Sequence, residues 1–362
     1  MGFYIGLMSG TSVDAIDAAL VQIDARQIKL IAHYTHAWPS QLQTSLLHLS
    51  QNPETNISLR EFTELDHFAA YEFAQAALNL LEQAQVDVQQ ISAIGCAGQT
   101  IYHSPNTKPA CTYQLGDPNL IAALTQLPTV ADFRRRDVAQ GGQGAPLAPA
   151  FHQAIFQHPT KTCIVLNIGG IANITVLSPD QEVIGFDTGT GNCLLDAWIQ
   201  KHLGQTQDQN GQWAASGTVC QPLLNDLVQD AYFAQPAPKT TGRDYFNLNW
   251  LNSYLKQHSL APNDIQATLA QLSIDTIVQA IEPYAAQQVL VCGGGVHNSL
   301  LMSGLQKQLN CPVQSTATYG VEPDWVEAMC FAWLAQHRLQ NQPNNLPSVT
   351  GANQAVSMGG IY

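Results

Sequence analysis

The 362-residue chain predicts an α/β fold of two related domains that face each other across a cleft, and three observations carry that prediction. Apolar strand-like runs alternate with helix-patterned ones. Phe3 to Ile23 and Thr162 to Leu177 share one pattern of apolar strand, glycine-bearing turn and apolar strand. Later in each half a strand runs into glycine, Ile91 to Gly98 in the first and Gln288 to Gly295 in the second. The same order in both halves marks a duplicated unit, and the chain is long enough for each domain to bury its own core. The first domain is placed at 1–128 plus 345–362 and the second at 129–344.

Phe3 to Leu7 reads as a buried strand and Ala18 to Ile23 as its returning partner. The small and hydroxyl residues between them then form a tight turn with exposed backbone N–H groups. Ser58-Leu59-Arg60-Glu61 is a capping box. Phe62, Leu65, Ala69, Phe73, Ala76 and Leu80 recur behind it at helical spacing, which predicts one long helix to about residue 84, packed on a sheet. Further helices are expected at 119–127, 145–157, 192–203, 221–233, 247–258, 263–282, 298–309 and 324–341. Gln205 to Gly217 is polar and glycine-bearing and reads as a loop. Gln181 to Phe186 reads as a strand that ends in Asp187-Thr188-Gly189, with a helix from near Cys193.

A net charge of −13 argues against a nucleic-acid partner, since Arg134-Arg135-Arg136 is the one basic cluster in the sequence. That cluster is a candidate for an anionic ligand group. Eight cysteines are scattered without a Cys-x-x-Cys pair and read as small buried hydrophobes in a reducing, cytoplasmic setting. Residues 1–20 lack the basic start and cleavage site of a signal peptide, and no apolar run reaches the length of a membrane span, so no membrane partner is expected.

The turn Gly6-Leu7-Met8-Ser9-Gly10-Thr11-Ser12-Val13-Asp14-Ala15-Ile16-Asp17 looks like a phosphate hairpin. Its N–H groups and the Thr11 and Ser12 hydroxyls can cradle a polyphosphate. Asp14 and Asp17 suit such a site if Mg²⁺ or its water shell lies between. Asp187 stands at the carboxyl end of a strand and just before a helix, the usual ligand position in open α/β sheets, and the N–H groups that follow, Gly189 among them, can reach a second face of a phosphate chain. Gly293-Gly294-Gly295 lacks side chains against which a base and ribose would otherwise clash. No Gly-Lys dipeptide occurs, which excludes the Gly-x-x-x-x-Gly-Lys loop, and none of the three turns completes Gly-x-Gly-x-x-Gly.

Gly10-Thr11-Ser12-Val13-Asp14-Ala15-Ile16-Asp17, Gly98-Gln99-Thr100-Ile101, Asp132-Phe133-Arg134, Gly141-Gly142-Gln143-Gly144-Ala145-Pro146-Leu147, Asn167-Ile168-Gly169-Gly170-Ile171-Ala172-Asn173, Asp187-Thr188-Gly189, Cys292-Gly293-Gly294-Gly295 and Glu327-Ala328-Met329 together resemble the anhydro-N-acetylmuramic acid kinase family. The ordered match runs from residue 4 to Thr350-Gly351-Ala352. The resemblance implies two ribonuclease H-like domains of the actin-like ATPase superfamily closing around ATP. It implies an amino-sugar substrate, ring opening of 1,6-anhydro-N-acetylmuramic acid with phosphorylation at O6, a place in cell-wall recycling, and a homodimer.

Carried over by position, residues Gly10 to Asp17 match the family's ATP motif, Asp14 would hold Mg²⁺ through water, and Asp187 is the catalytic base. Gln99, Thr100, Arg134, Asn173 and Glu327 fall in motifs expected near the sugar, with Arg134 suited to the lactyl carboxylate. Three positions depart from the family pattern: Ala97 stands where His is usual before Gly-Gln-Thr, Ala15 where Gly is usual, and Thr190 where Pro is usual and where it is expected to loosen the loop after the base. Two other readings stay open at this stage, a kinase of the same superfamily for another sugar and an ATP-dependent sensor without sugar chemistry.

Overall fold

The apolar run at the start of the chain forms strand β1 (Gly2–Met8), and the turn after it returns as β2 (Ala15–Ile23), with β3 (Ile28–Ala37) as a third antiparallel strand. These elements come from a computed structural model that describes residues 2–24 and 27–362. Helices α1 (Ser40–Gln51) and α2 (Leu59–Ala84) follow. The Ser58 side chain accepts the Glu61 N–H as the capping box requires, and Ala69, Phe73, Ala76 and Leu80 are buried at the expected spacing. Next come β4 (Ile91–Cys96), the hairpin β5 (Gln99–Ser104) and β6 (Cys111–Leu115), α3 (Pro118–Thr125), β7 (Thr129–Ala131) and α4 (Phe133–Val138).

After α5 (Ala148–Phe156) the strand pattern starts again with β8 (Cys163–Ile168), β9 (Ile171–Leu177) and β10 (Ile184–Thr190). Helices α6 (Cys193–Leu203), α7 (Gln212–Ala215), α8 (Gln221–Val228), α9 (Leu248–Leu255) and α10 (Pro262–Ile281) lead to β11 (Gln288–Cys292). The chain closes with α11 (Ser299–Gln308), β12 (Val313–Ser315), α12 (Val326–Leu339), α13 (Pro347–Thr350) and β13 (Gly360–Ile361).

The repeat seen in sequence is a repeat in topology. One sheet has the order β13-β7-β4-β1-β2-β3 and the other β10-β9-β8-β11-β12. In the first, β1 is antiparallel to β2 and parallel to β4, and β4 is parallel to β7. In the second, β8 is antiparallel to β9 and parallel to β11, and β11 is parallel to β12. Each half is therefore a 3-2-1-4-5 sheet with its second strand reversed, the ribonuclease H-like arrangement.

The chain divides into two units, one running to Phe151 and resuming at Trp325–Tyr362, the other His152–Asp324. This differs from the boundaries expected at 128/129 and 344/345, and long-range contacts explain the difference. Strand β7 pairs with β4 and β13, so residues past 128 belong to the first sheet. The carboxylate of buried Asp137 accepts from Thr350 Oγ1 and Asn345 Nδ2, both at 2.8 Å, and from the Gly144 N–H at 2.8 Å. Helix α12 rests on β1 and β4 at the paired residues Gly6 and Gly95, where an added β-carbon would overlap the Ala328 and Phe331 carbonyls. Two glycines thus let a helix backbone lie directly on a sheet.

Ile5, Leu7, Val13, Ile16, Phe73 and Leu80 belong to the core of the first unit, and Ile164, Leu166, Trp198, Leu269 and Ile277 to that of the second. Each such side chain contributes roughly 1.5–3 kcal/mol on burial. The stretch expected as a plain loop, Gln205 to Gly217, instead contains α7. Asp208 organises it, Oδ1 accepting the Trp213 N–H at 2.8 Å and Oδ2 the Ala214 N–H at 2.9 Å.

Candidate active site

In the first unit the β1–β2 turn is tied down from three directions. The Val13 N–H closes it onto Gly10 O at 3.1 Å, Gln43 Nε2 donates to Val13 O at 2.8 Å, and Trp38 Nε1 donates to Ser9 Oγ at 3.2 Å. Val13 has φ 53°, unusual for a β-branched residue, and is fully buried, so the surrounding core imposes the turn conformation. Val13 and Ile16, expected on the nucleotide, direct their side chains into the core, while Thr11 and Asp14 are exposed and Gly10, Ser12, Ala15 and Asp17 half-buried. Among the described residues, the Thr11 and Ser12 N–H groups donate to nothing and the Asp14 carboxylate has no partner. Ala15 opens β2 opposite Ala37, and Asp17 Oδ1 accepts from Thr35 Oγ1 at 3.2 Å.

Gln99, expected near the sugar, is fully buried and donates from Nε2 to Gly10 O at 3.2 Å, while its Oε1 has no partner. Its observed partners are the phosphate-type turn and, at 3.3 Å, the Thr100 carbonyl. Thr100 is half-buried in β5, opposite Gln114. Ala97, where the family pattern has His, is buried and donates its N–H to Leu7 O.

Arg134 and Glu327 form an electrostatic pair on the first unit. Arg134 Nη1 donates to Gly144 O at 2.9 Å. Loss of solvent lowers the guanidinium pKa, and the Glu327 charge acts the other way. Glu327 stands in the first turn of α12 with an accessible side chain. Protein crowding raises its carboxyl pKa, Arg134 lowers it, and Asp17 raises it. His103, which the sequence did not single out, belongs to the same neighbourhood: burial lowers its pKa to about 4 and the Arg134 charge adds to the effect.

In the second unit, pairing brings a polar row to one end of the sheet. Asn167 lies opposite Asn173 and Asn173 opposite Asp187. Asp187 is the best supported of these. Its Oδ2 accepts from Thr240 Oγ1 at 2.9 Å and from the Thr241 N–H at 3.0 Å. Its own N–H donates to Lys239 O at 3.0 Å, and its carbonyl accepts from Tyr232 OH at 2.7 Å. Oδ1 makes no hydrogen bond among the described residues. Burial raises the carboxyl pKa, and the bonds from Thr241 and Thr240 pull it partly back. Lys239 anchors the supporting loop, its Nζ donating to the Tyr232 and Phe233 carbonyls at 3.1 Å each.

One expectation beside Asp187 needs correction. Thr190 does not loosen the following loop: it ends β10, fully buried, with Oγ1 3.1 Å from Ser273 Oγ, and Ser273 donates to Gly191 O at 2.9 Å. Gly189, expected on the nucleotide, is buried at an irregularity of β10 with φ 145°, where a β-carbon would stand 2.6 Å from the Phe233 ring. Packing against Phe233 accounts for this glycine.

The Gly293-Gly294-Gly295 turn also divides. The Gly293 N–H is committed to Pro323 O at 3.0 Å and Gly295 packs on Ile168, whereas an added β-carbon at Gly294 would meet nothing. Gly294 is the open face of this turn.

Sequence reasoning recognised Gly169-Gly170 as the repeat of the first turn but gave it no ligand role. The Gly169 and Gly170 carbonyls accept the Asn192, Gly191 and Cys193 N–H groups at 2.8, 2.9 and 3.0 Å, while their own N–H groups donate to nothing among the described residues. Thr240 and Thr241 were missed altogether, because a support more than 50 residues away in sequence leaves no local pattern. Among the described residues no group of three or more His, Cys, Asp or Glu could hold a metal. None of the eight cysteines is in a disulfide bond; six are buried as expected, Cys220 is intermediate and Cys111 exposed. Among the described residues no helix is long and apolar enough to cross a membrane.

Comparison with known proteins shows the family. The family model described as anhydro-N-acetylmuramic acid kinase matches residues 2–362. The chain is 50% identical over 365 residues to the anhydro-N-acetylmuramic acid kinase of Pasteurella multocida, covering 99% of this chain and 96% of that one. It is 49% identical over 363 residues to that of Vibrio vulnificus, covering 99% and 98%, and 49% identical to that of Coxiella burnetii, covering 99% and 97%. A match of this identity over nearly the full length of both chains shows the family: this chain belongs to the anhydro-N-acetylmuramic acid kinases.

Proposed function

We propose that this protein uses ATP to phosphorylate O6 of 1,6-anhydro-N-acetylmuramic acid while water opens the anhydro bridge at C1, giving N-acetylmuramic acid 6-phosphate and ADP. The observation that carries the reading is Asp187, a carboxylate held through Oδ2 by Thr240 and Thr241 with Oδ1 unbonded and its pKa raised by burial.

O6 of the substrate is tied into an ether and has no proton for a kinase base to remove. The base must therefore act on water. Asp187 Oδ1 accepts a proton from a water placed on the face of C1 opposite the bridge, as in an inverting glycosidase. A bond forms from that water oxygen to C1, the C1–O6 electron pair passes to O6, and O6 takes the γ-phosphoryl group as its bond to ADP breaks. Phosphoryl capture takes the place of proton donation by a general acid. The free Thr11 and Ser12 amides are suited to phosphate oxygens.

Mg²⁺ fits the exposed, unpartnered Asp14 carboxylate, because this ion keeps several waters and needs only one or two protein carboxylates beside the phosphates. When bound it would supply charge neutralisation on the phosphate chain. Arg134 supplies a cation for the lactyl carboxylate, with Glu327 setting its electrostatic surroundings. A homodimer in the cytoplasm belongs to this reading, and cysteines outside disulfide bonds fit a reducing compartment.

Incubation with Mg·ATP and 1,6-anhydro-N-acetylmuramic acid in ¹⁸O-labelled water, followed by mass spectrometry, tests the reaction. The expected product is a ring-opened 6-phosphate with one label at C1. A phosphorylated product without label means an ordinary hydroxyl acceptor and overturns the hydrolytic mechanism. Nucleotide binding without any sugar product overturns the substrate assignment.

A further inference from the structure

Burial raises the pKa of the Cys193 thiol and the nearby Arg243 charge lowers it. Among the described residues the Arg243 guanidinium makes no hydrogen bond or ion pair. It nevertheless lies close against a particular backbone turn. A β-carbon added at Gly170 would stand 2.7 Å from both Nε and Nη2 of Arg243, so the absence of a side chain at Gly170 is what admits the guanidinium. Among the described residues the Gly169 and Gly170 N–H groups at that turn donate to nothing, while the turn's carbonyls receive the start of α6.

The segment that bears Arg243 is anchored rather than loose. The Phe246 N–H donates to Gly242 O at 3.0 Å, and Phe246 is 1% exposed in the core. Two residues before Arg243, the Thr241 N–H holds Oδ2 of Asp187. One short stretch therefore supports the base and presents an unpaired cation beside two unpaired amides.

We propose that Arg243, together with the Gly169 and Gly170 N–H groups, binds the phosphoryl group that ATP gives up, contacting its non-bridging oxygens during transfer. The inference rests on the kinase reading above. A planar guanidinium offers paired N–H donors that match two phosphoryl oxygens, which an ammonium cannot do. Charge in the transferring phosphoryl group spreads over those oxygens, so a cation there stabilises the transition state more than the ground state. The same donors would also suit the sugar's carboxylate, and the test separates the two anions.

Arg243→Ala and Arg243→Lys are compared with the unaltered protein by calorimetric titration of ADP and of the β,γ-imido analogue of ATP, without sugar. The expected result for Arg243→Ala is at least tenfold weaker binding of the triphosphate analogue with ADP binding unchanged, and a fall in kcat of at least 10²-fold. Millimolar guanidinium should restore part of that kcat and ammonium should not. Arg243→Lys should recover binding without recovering kcat. Equal weakening of both nucleotides overturns the proposal. A rise confined to the KM for sugar, with triphosphate binding unchanged, overturns it in favour of the carboxylate. Because the nucleotide contrast is measured without sugar, it stands or falls separately from the identity of the sugar substrate.

Discussion

Thr241 donates its backbone N–H to Oδ2 of Asp187 at 3.0 Å, and Oδ1 of the same carboxylate bonds to nothing among the described residues. The arrangement positions the group without consuming it. An aspartate bonded through both oxygens would be a structural cap, whereas one steadied on a single side retains a basic oxygen for water.

Replacing Asp187 by Asn keeps the shape and removes the proposed base. Turnover should fall by about 10²–10⁴-fold with nucleotide affinity unchanged. Burial places the folded-state pKa above 3.8, so between the two values the folded chain keeps a proton that the unfolded chain releases, and stability declines as pH rises through that window. Asp187→Asn should therefore unfold at the same temperature or higher at neutral pH. Near-normal turnover, measured by coupled ADP release, would remove Asp187 from the role of base.

Thr240→Val deletes one hydrogen bond to the charged form of Asp187. The carboxyl pKa then rises further, and the acid limb of the kcat/KM profile should move to higher pH. A limb that stays in place, or shifts toward acid, contradicts the idea that it reports Asp187.

Gln99 distinguishes a sugar contact from a turn support. Its amide holds Gly10 O at 3.2 Å, so Gln99→Leu should raise the KM for ATP several-fold, with a smaller effect on the KM for sugar. Steady-state kinetics with each substrate varied in turn decides the matter, and the opposite pattern returns Gln99 to the sugar.

Glycines 6 and 10 are four residues apart and should behave differently. A methyl group at Gly6 runs into the Ala328 carbonyl, while at Gly10 the nearest atom is Ser12 Oγ at 3.7 Å. Gly6→Ala should cost about 3 kcal/mol of stability. Gly10→Ala should unfold normally yet bind ATP less tightly, because the methyl occupies space meant for phosphate. Denaturant melts combined with nucleotide titration test the pair, and equal melts for the two variants would contradict it.

Local physics was legible before any tertiary contact was known. The capping box and apolar spacing of α2, the two strand-turn-strand repeats and the glycine turns all act over a few residues, so each leaves a periodic or positional trace in the chain. Asp187 was readable as a carboxylate but not in its place: the expected strand Gln181 to Phe186 ended at it, whereas it stands in the middle of β10, where the ladder to β9 turns irregular between Asp187 and Gly189. The short α7 was not readable, because its start depends on the Asp208 carboxylate meeting the Trp213 and Ala214 N–H groups.

By itself, the amino-acid sequence determined the α/β class, the duplication and the ordered motifs that mark the family, since these are patterns of short range or of simple repetition. Only the tertiary structure decided that α12 belongs to the first sheet, that Gln99 serves the Gly10 turn, that Thr240 and Thr241 hold Asp187, and that Arg243 lies beside Gly170. Each of those rests on a contact between residues brought together by chain packing, where the deciding factors are backbone clearance and the pairing of buried polar groups, and neither follows a period in sequence.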